Sequence, residues 1–237
     1  MKFIGHLDIM RYFQKALRRA GYDMVYSKGF HPHPVMSFAS PLGLGLESLG
    51  EYMDIETASA LPMDQMQENL DEQMAEGMKI LKVVRLDDGA KNSMSIFAGA
   101  DYRVSFRQGF READQPESEP RLFSRDQVST FLAADSILVR KKTKKSEIDL
   151  DIRPLIFDMV LEDGGTLFMS LSAGSAANLK PELVVRAMCS TFSLAYDPYQ
   201  LLITRLEMYA DQGKDGRRDL VPLDRYQIWQ GEKQEDP

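Results

Sequence analysis

The chain has 237 residues, 43% of them hydrophobic and 27% charged, enough to bury one large or two modest cores. Its net charge of -7 speaks against wholesale coating of nucleic acid, and its single cysteine, Cys189, excludes an internal disulfide framework, a four-cysteine zinc site and a three-cysteine iron–sulfur site. No apolar run reaches the roughly 20 residues of a spanning helix, and MKFIGHLDIMRYF lacks the features of a signal peptide, so a soluble, cytoplasmic protein with no membrane contact is expected.

From the N terminus, HLDIMRYFQKALRRAG repeats Leu7, Met10, Phe13, Leu17 and Ala20 at helical spacing, with Gly21 placed to stop an amphipathic helix. YDMVYSK and GEYMDIET are short, rich in aromatic and β-branched residues, and read as strands. PMDQMQENLDEQMAEG sets Met63, Met66, Leu70 and Met74 on one face, with Pro62 suited to the first turn and Gly77 to the end. A strand in MKILKVVRL follows.

DYRVSFRQ alternates Tyr102, Val104 and Phe106 as a strand does. After a polar linker near 107–121, Ser124 and Gln127 form a capping box and Phe123 faces Val128 as a hydrophobic staple, which predicts a helix to about Asp135. SILVRKK and SEIDLDI flank KKTKK as a β-ribbon over 137–152. PLIFDMVLEDGGTLFMSLSA reads as a hairpin turning at Asp163, Gly164 and Gly165. KPELVVRAMCSTF is a helix, with Cys189, Val185 and Phe192 on one face as for a buried structural thiol, and YQLLITRLEMY is a closing strand. The remainder, 211–237, is polar and expected to be partly disordered, with Tyr226, Ile228 and Trp229 as a docking patch.

The second half thus runs strand, helix, strand, strand, helix, strand, the split βαβ order of ferredoxin-like folds. The first half follows the same order without its opening strand. The expected fold is α+β, with two tandem ferredoxin-like domains at 1–95 and 96–210, the second carrying the inserted basic ribbon, and a tail at 211–237. A sheet lacking a central strand exposes backbone donors that something must cover, so either MKFIG forms a stub of that strand or the native chain begins upstream of Met1.

Two basic islands stand out. Arg11, Lys15 and Arg18 lie on one stripe of the first helix with Arg19 beside it, and Lys28 follows in YSKGFHPHPVMSFASPLGLGLES. The second island is Arg140, Lys141, Lys142, Lys144 and Lys145, five positive charges in six residues. Both suit a polyanion bound through salt-dependent phosphate contacts, with Tyr22, Tyr26 and Phe30 as stacking surfaces. Each also suits a solvated face, and lysines protect an exposed strand edge.

Phe30, His31, His33, Gly43 and Gly45 mark a recognition loop in which prolines limit conformations and glycines permit tight paths. His31 and His33, one residue apart, with His6 as a third ligand, have the spacing of a metal site but no acidic or sulfur companion in the run, and no metal is expected. The same three histidines are the alternative catalytic residues, since imidazole titrates near neutral pH, although no nucleophile or carboxylate partner is identifiable. Lys28 with Gly29 and PLGLGLES has the makings of a phosphate cradle but lacks GxxxxGK[ST]. No cofactor is expected.

The run FIGHLDIMRYFQKALRRAGYDMVYSKGFHPHPVMSFASPLGLGLESLGEYMDIE resembles the bacterial radical SAM-linked protein family, a domain of unknown function found alone or fused behind a radical SAM domain. The likeness is dense over about residues 3–56 and thinner to about 210, where SEIDLDIRPLI also resembles a family segment. It implies a radical SAM enzyme as partner and a strand ahead of FIGHLD. Tandem ferredoxin-like architecture with a glycine-rich loop is also similar to the RNA-binding proteins that process CRISPR repeats. Two functions are therefore carried forward: a non-catalytic RNA-binding or substrate-presenting accessory protein, and a metal-independent endoribonuclease using a loop histidine.

Overall fold

A computed structural model of the chain describes residues 3–107, 122–142, 147–175 and 177–230. These residues form a mixed α/β structure with several sheets and five α-helices. The expected linker over 107–121 lies almost wholly outside the described residues.

In the first half, α1 (His6–Arg19) leads through irregular chain to β1 (Met36–Phe38), β2 (Glu47–Ser48) and β3 (Met53–Ile55), followed by α2 (Met63–Asp71) and the single-turn α3 (Ser93–Ile96). The expected amphipathic face of α1 is buried only towards its C-terminal end: Ala16, Leu17 and Ala20 are covered, whereas Leu7 is 69% exposed. Met66 and Leu70 of α2 pack against them, as the sequence periodicity predicts, joined by Tyr22, Met24, Met36, Met53 and Ile55. Methionine dominates this small core because its unbranched thioether fills irregular gaps between short elements.

Two expected strands of this half differ. YDMVYSK makes isolated bridges, Met24 to Thr57 and Tyr26 to Pro34, and forms no continuous ladder. MKILKVVRL packs against the methionine core through Ile80 and Val83 but, among the described residues, makes a β-bridge only at Leu86, with Ile228. A strand forms only where a neighbouring backbone supplies a full ladder, and among the described residues 227–229 meets this segment only at its end, around Arg85 and Leu86. β1 and β3 therefore stand as a two-stranded antiparallel sheet, in register Met36 to Ile55 through Phe38 to Met53.

The second half contains β4 (Phe97–Phe106), α4 (Arg125–Leu132), β5 (Leu138–Lys142), β6 (Glu147–Asp151), β7 (Ile156–Leu161), β8 (Leu167–Ser172), α5 (Pro181–Thr191), β9 (Leu201–Asp211) and β10 (Leu220–Pro222). Its main sheet has the order β10-β9-β4-β8-β7, every neighbouring pair antiparallel. The capping box that opens α4 is present on both sides, Ser124 Oγ accepting from the Gln127 N–H and Gln127 Oε1 from the Ser124 N–H. The β7–β8 hairpin turns at 162–166, where Gly164 and Gly165 take positive φ. Val128 and Phe131 of α4 and Val184, Val185 and Met188 of α5 close over one face of this sheet, onto Tyr102, Val104, Met159, Met169 and Ile203. Each such side chain contributes about 1.5–3 kcal/mol by leaving water. Cys189 lies in this core, and burial raises its thiol pKa, as fits a structural thiol.

Two long-range joins are absent from any local pattern. β2 adds to β9 as a parallel neighbour, Glu47 opposite Thr204 and Ser48 opposite Arg205, so a first-half segment completes the second-half sheet. Of the expected tail, residues 211–230 are described and pack on the fold: β10 pairs with β9, Leu223 is buried, and Tyr226 packs on the main core, while 231–237 lie outside the described residues. Trp229 donates its backbone N–H to Arg85 O at 3.0 Å, and the Arg85 guanidinium lies 4.4 Å from its ring. The expected docking patch is thus engaged by the chain itself. Among the described residues no helix is long and apolar enough to cross a membrane.

Candidate nucleic-acid interface

The stretch 26–34 folds back on itself as a narrow protrusion. Tyr26 bridges to Pro34, and the Ser27 N–H donates to His33 O at 2.9 Å. Gly29 takes φ +129 at the tip, where the chain reverses. Lys28, Phe30, His31 and His33 are all exposed there; Phe30 is fully so, at 101%. Tyr26 at the base is half-exposed. Tyr22, also expected as a stacking surface, is buried instead: its hydroxyl donates to Met66 O at 2.7 Å, and burial pushes its pKa to about 12.

The tip contains a contact that spacing does not reveal. Ser27 Oγ accepts from the His33 backbone N–H at 3.1 Å and lies 2.9 Å from His33 Nδ1, with His31 O 3.4 Å from the same ring nitrogen. Hydroxyl and imidazole thus sit in proton-transfer reach on an exposed loop. His6 does not join them in any described contact. Its ring packs edge-on to Phe38, centroids 5.9 Å apart, at the end of a row running through Phe13 to Tyr12. Among the described residues, no cluster of three or more histidine, cysteine or acidic side chains is arranged to hold a metal.

The basic stripe on α1 is exposed along its length, but its members differ in freedom. Arg11 Nη1 pairs with Asp8 at 3.4 Å one turn back, and Arg19 donates from Nε to Gln73 Oε1 at 3.1 Å, tying α1 to the end of α2. Lys15 and Arg18 have no hydrogen-bond or ionic partner among the described residues. They are the free cations of this face.

Gly43 and Gly45 are not at the protrusion. They belong to a strap, 39–52, that the second-half sheet holds down: Leu49 N donates to Arg205 O at 2.8 Å and Arg107 Nη2 reaches Gly45 O at 3.5 Å. At Gly50 a Cβ would stand 2.7 Å from Leu206 O, so a side chain there would push the strap off β9. Under the strap, the Arg205 guanidinium, 4% exposed, makes two bonds to Glu51 and a third to Ser40 O. This buried pair has no signature in sequence, because its partners are 154 residues apart. The expected recognition loop therefore separates into an exposed tip and a structural strap.

The second island lies on the β5–β6 ribbon, which forms with Leu138 opposite Asp151 and Lys142 opposite Glu147. Arg140 Nε is 3.3 Å from Asp149 on the facing strand. The acidic partner strand thus offsets part of the positive charge that the run displays when read alone. Lys144 and Lys145, at the expected lysine-rich tip, lie outside the described residues, and of the Lys141 and Lys142 side chains only the strand positions are described.

Exposed aromatic rings beside lysine and histidine are groups that can stack bases and contact phosphates, and exposed cations such as Lys15 and Arg18 are of the kind that contact phosphates. No curated protein and no solved structure matches the chain. A family model described as an uncharacterized protein conserved in bacteria, DUF2344, matches residues 1–181, three quarters of the sequence, and the chain belongs to that family.

Proposed function

We propose that the protein is a non-catalytic accessory module that binds RNA, or presents an RNA substrate, to a radical SAM enzyme in the cytoplasm. The observation that carries the RNA reading is the protrusion 26–34, where Phe30 stands fully in solvent with Lys28, His31 and His33 around it. A phenylalanine in that position adds nothing to the core and offers a face for a base, while Lys15 and Arg18 are free to meet phosphates. The radical SAM partner rests on the resemblance of residues 3–56 alone. As to fold, the order β9-β4-β8-β7 with α4 and α5 as crossovers supports a split βαβ unit in the second half, and α1, 22–26, β3, α2 and 79–86 repeat its element order without the first strand.

The test is anisotropy of short single-stranded oligoribonucleotides over roughly 50–200 mM salt. Binding should weaken steeply with salt, and Lys15→Glu with Arg18→Glu should lower both affinity and salt slope, the slope by roughly 0.7 for each phosphate no longer neutralised. Absence of binding at low salt sinks the reading.

The Ser27–His33 contact favours a second reading, a metal-independent endoribonuclease in which His33 serves as general base. Cleavage of the same oligonucleotides, abolished by His33→Ala, would establish it in place of the first.

A further inference from the structure

The protrusion 26–34 interrupts a strand. Along 52–58 the backbone partners run from Ala39 through β1 to Val35, then pass directly to Val25, Met24 and Asp23. Glu56 marks the change: its N–H donates to Val35 O at 3.1 Å, and its carbonyl accepts from the Val25 N–H at 2.9 Å. Segments 23–25 and 35–39 thus lie end to end as two parts of one strand, and 26–34 is looped out between them. The neck of the loop is closed, since the Val35 N–H donates to Val25 O at 2.8 Å.

No side chain of 26–34 belongs to either core, so ordering this arm costs chain entropy that burial does not offset. What it presents is one fully exposed ring, Phe30, with the exposed side chains of Lys28, His31 and His33 around it. The other exposed ring, Tyr26, is at the base, four residues away and so up to roughly 13 Å along an extended arm. Successive bases of one strand stack roughly 3.4 Å apart, so the two rings do not form a platform for a continuous single strand. A lone ring takes one base, and only a base outside a helix has a face to offer it. In a stem with one extruded nucleotide that base is already unstacked, and the flanking phosphates are held in place for cations to meet. A flexible strand has to be ordered on binding instead.

We infer that 26–34 is a self-contained recognition arm whose target is a single unpaired nucleotide projecting from an RNA stem, with Phe30 stacking on its base and Lys28 meeting the adjoining phosphates. This target is a class within the RNA reading above, on which it rests. The fold does not depend on the arm, because the strand it interrupts is continuous without it.

Anisotropy of the full chain with three RNAs of equal length tests the target: a stem with one bulged nucleotide, the same stem fully paired, and an unstructured single strand. The bulged stem should bind about tenfold or more tighter than the paired stem, and tighter than the single strand. Phe30→Ala should bring the bulged stem down to the level of the paired one, and Phe30→Trp, which keeps a ring, should preserve the preference. A variant lacking 26–34, with Val25 joined to Val35 across the hydrogen-bonded neck, should lose the preference while keeping the parent's circular dichroism and a thermal midpoint near the parent's. Equal binding of the bulged stem and either control, or a preference that survives Phe30→Ala, overturns the target while leaving RNA binding itself in place. No binding of any of the three at low salt overturns the RNA reading as well. A deletion variant that does not fold overturns the independence of the arm, and the variants of Phe30, a fully exposed position, still decide its target.

Discussion

Arg205 and Glu51 form a two-bond ion pair across the join between the halves, Nε to Oε1 at 2.8 Å and Nη2 to Oε2 at 2.6 Å. Arg205 sits on β9 directly opposite Ser48 of β2, and its Nη2 also donates to Ser40 O at 3.2 Å. One side chain from the second half thus holds both ends of the strap that carries β2. The pair fixes where the first half sits on the sheet.

Removing Glu51 strands a buried guanidinium, which is costlier than never having buried it. Because Glu51 is 30% exposed, the cost falls below that of a fully buried pair. Glu51→Ala should lower the unfolding free energy by about 2–3 kcal/mol, and Arg205→Met with Glu51→Leu should lose less than the single variant. Urea unfolding measures both. A Glu51→Ala midpoint equal to the parent's would mean that the strap is not held by this pair.

What the sequence displays and what it conceals divides along contact range. The α4 capping box, the turn at Gly164 and Gly165, and the Met66–Leu70 face of α2 are legible because each arises within a few residues. β2 escapes because Glu47 and Ser48 carry no strand pattern and form a strand only against Thr204 and Arg205. The segment 79–85 fails in the opposite sense: its apolar pattern is strand-like, but a pattern cannot provide a ladder partner. A count of charges overstates both basic islands, because Asp8 pairs with Arg11 and Asp149 with Arg140, while Gln73 holds Arg19 by a hydrogen bond without offsetting its charge. Ser27 is silent in the sequence because its relation to His33 depends on the reversal at Gly29.

The C-terminal segment makes a separate prediction through Leu223 and Trp229. Leu223 is 5% exposed within the main core, so Leu223→Ala should destabilise the fold by about 2–3 kcal/mol. Trp229 lies at the rim, 40% exposed, and its stacking with Arg85 contributes about 0.5–1 kcal/mol. Since Trp229 is the chain's single tryptophan, the emission reports the surroundings of this one ring. Arg85→Ala should shift that emission to the red while leaving the global unfolding midpoint nearly unchanged. An unchanged emission maximum would show that the tail docks without Arg85.

Phe30 and Tyr22 offer a paired comparison within the interface. Phe30→Ala removes a fully exposed ring, so thermal stability should stay within error while RNA affinity falls roughly 5- to 100-fold, the worth of one stacked base. Tyr22→Phe deletes the hydroxyl that donates to Met66 O, so it should cost about 1 kcal/mol of stability and leave RNA affinity unaltered. Anisotropy and thermal unfolding, run on both variants, separate the roles. RNA affinity indifferent to Phe30→Ala would remove the protrusion from the interface.

Asp151, at the foot of the basic ribbon, gives the fold an acid-sensitive joint. Its Oδ1 accepts from the backbone N–H of Ile137 at 2.9 Å and of Arg153 at 3.0 Å, and these two bonds hold its pKa below the usual carboxylate value. A group whose pKa is lower in the folded state adds stability above its unfolded pKa, about 3.9 for aspartate, and loses it as pH falls through the folded value. Asp151→Asn keeps an acceptor for both N–H groups but cannot titrate. The parent should therefore be the more stable protein near neutral pH, and its advantage should shrink below about pH 4. Urea midpoints of the two proteins between roughly pH 3 and 7 measure this convergence. A constant offset across that range would mean that the two N–H bonds do not depend on the charge of Asp151.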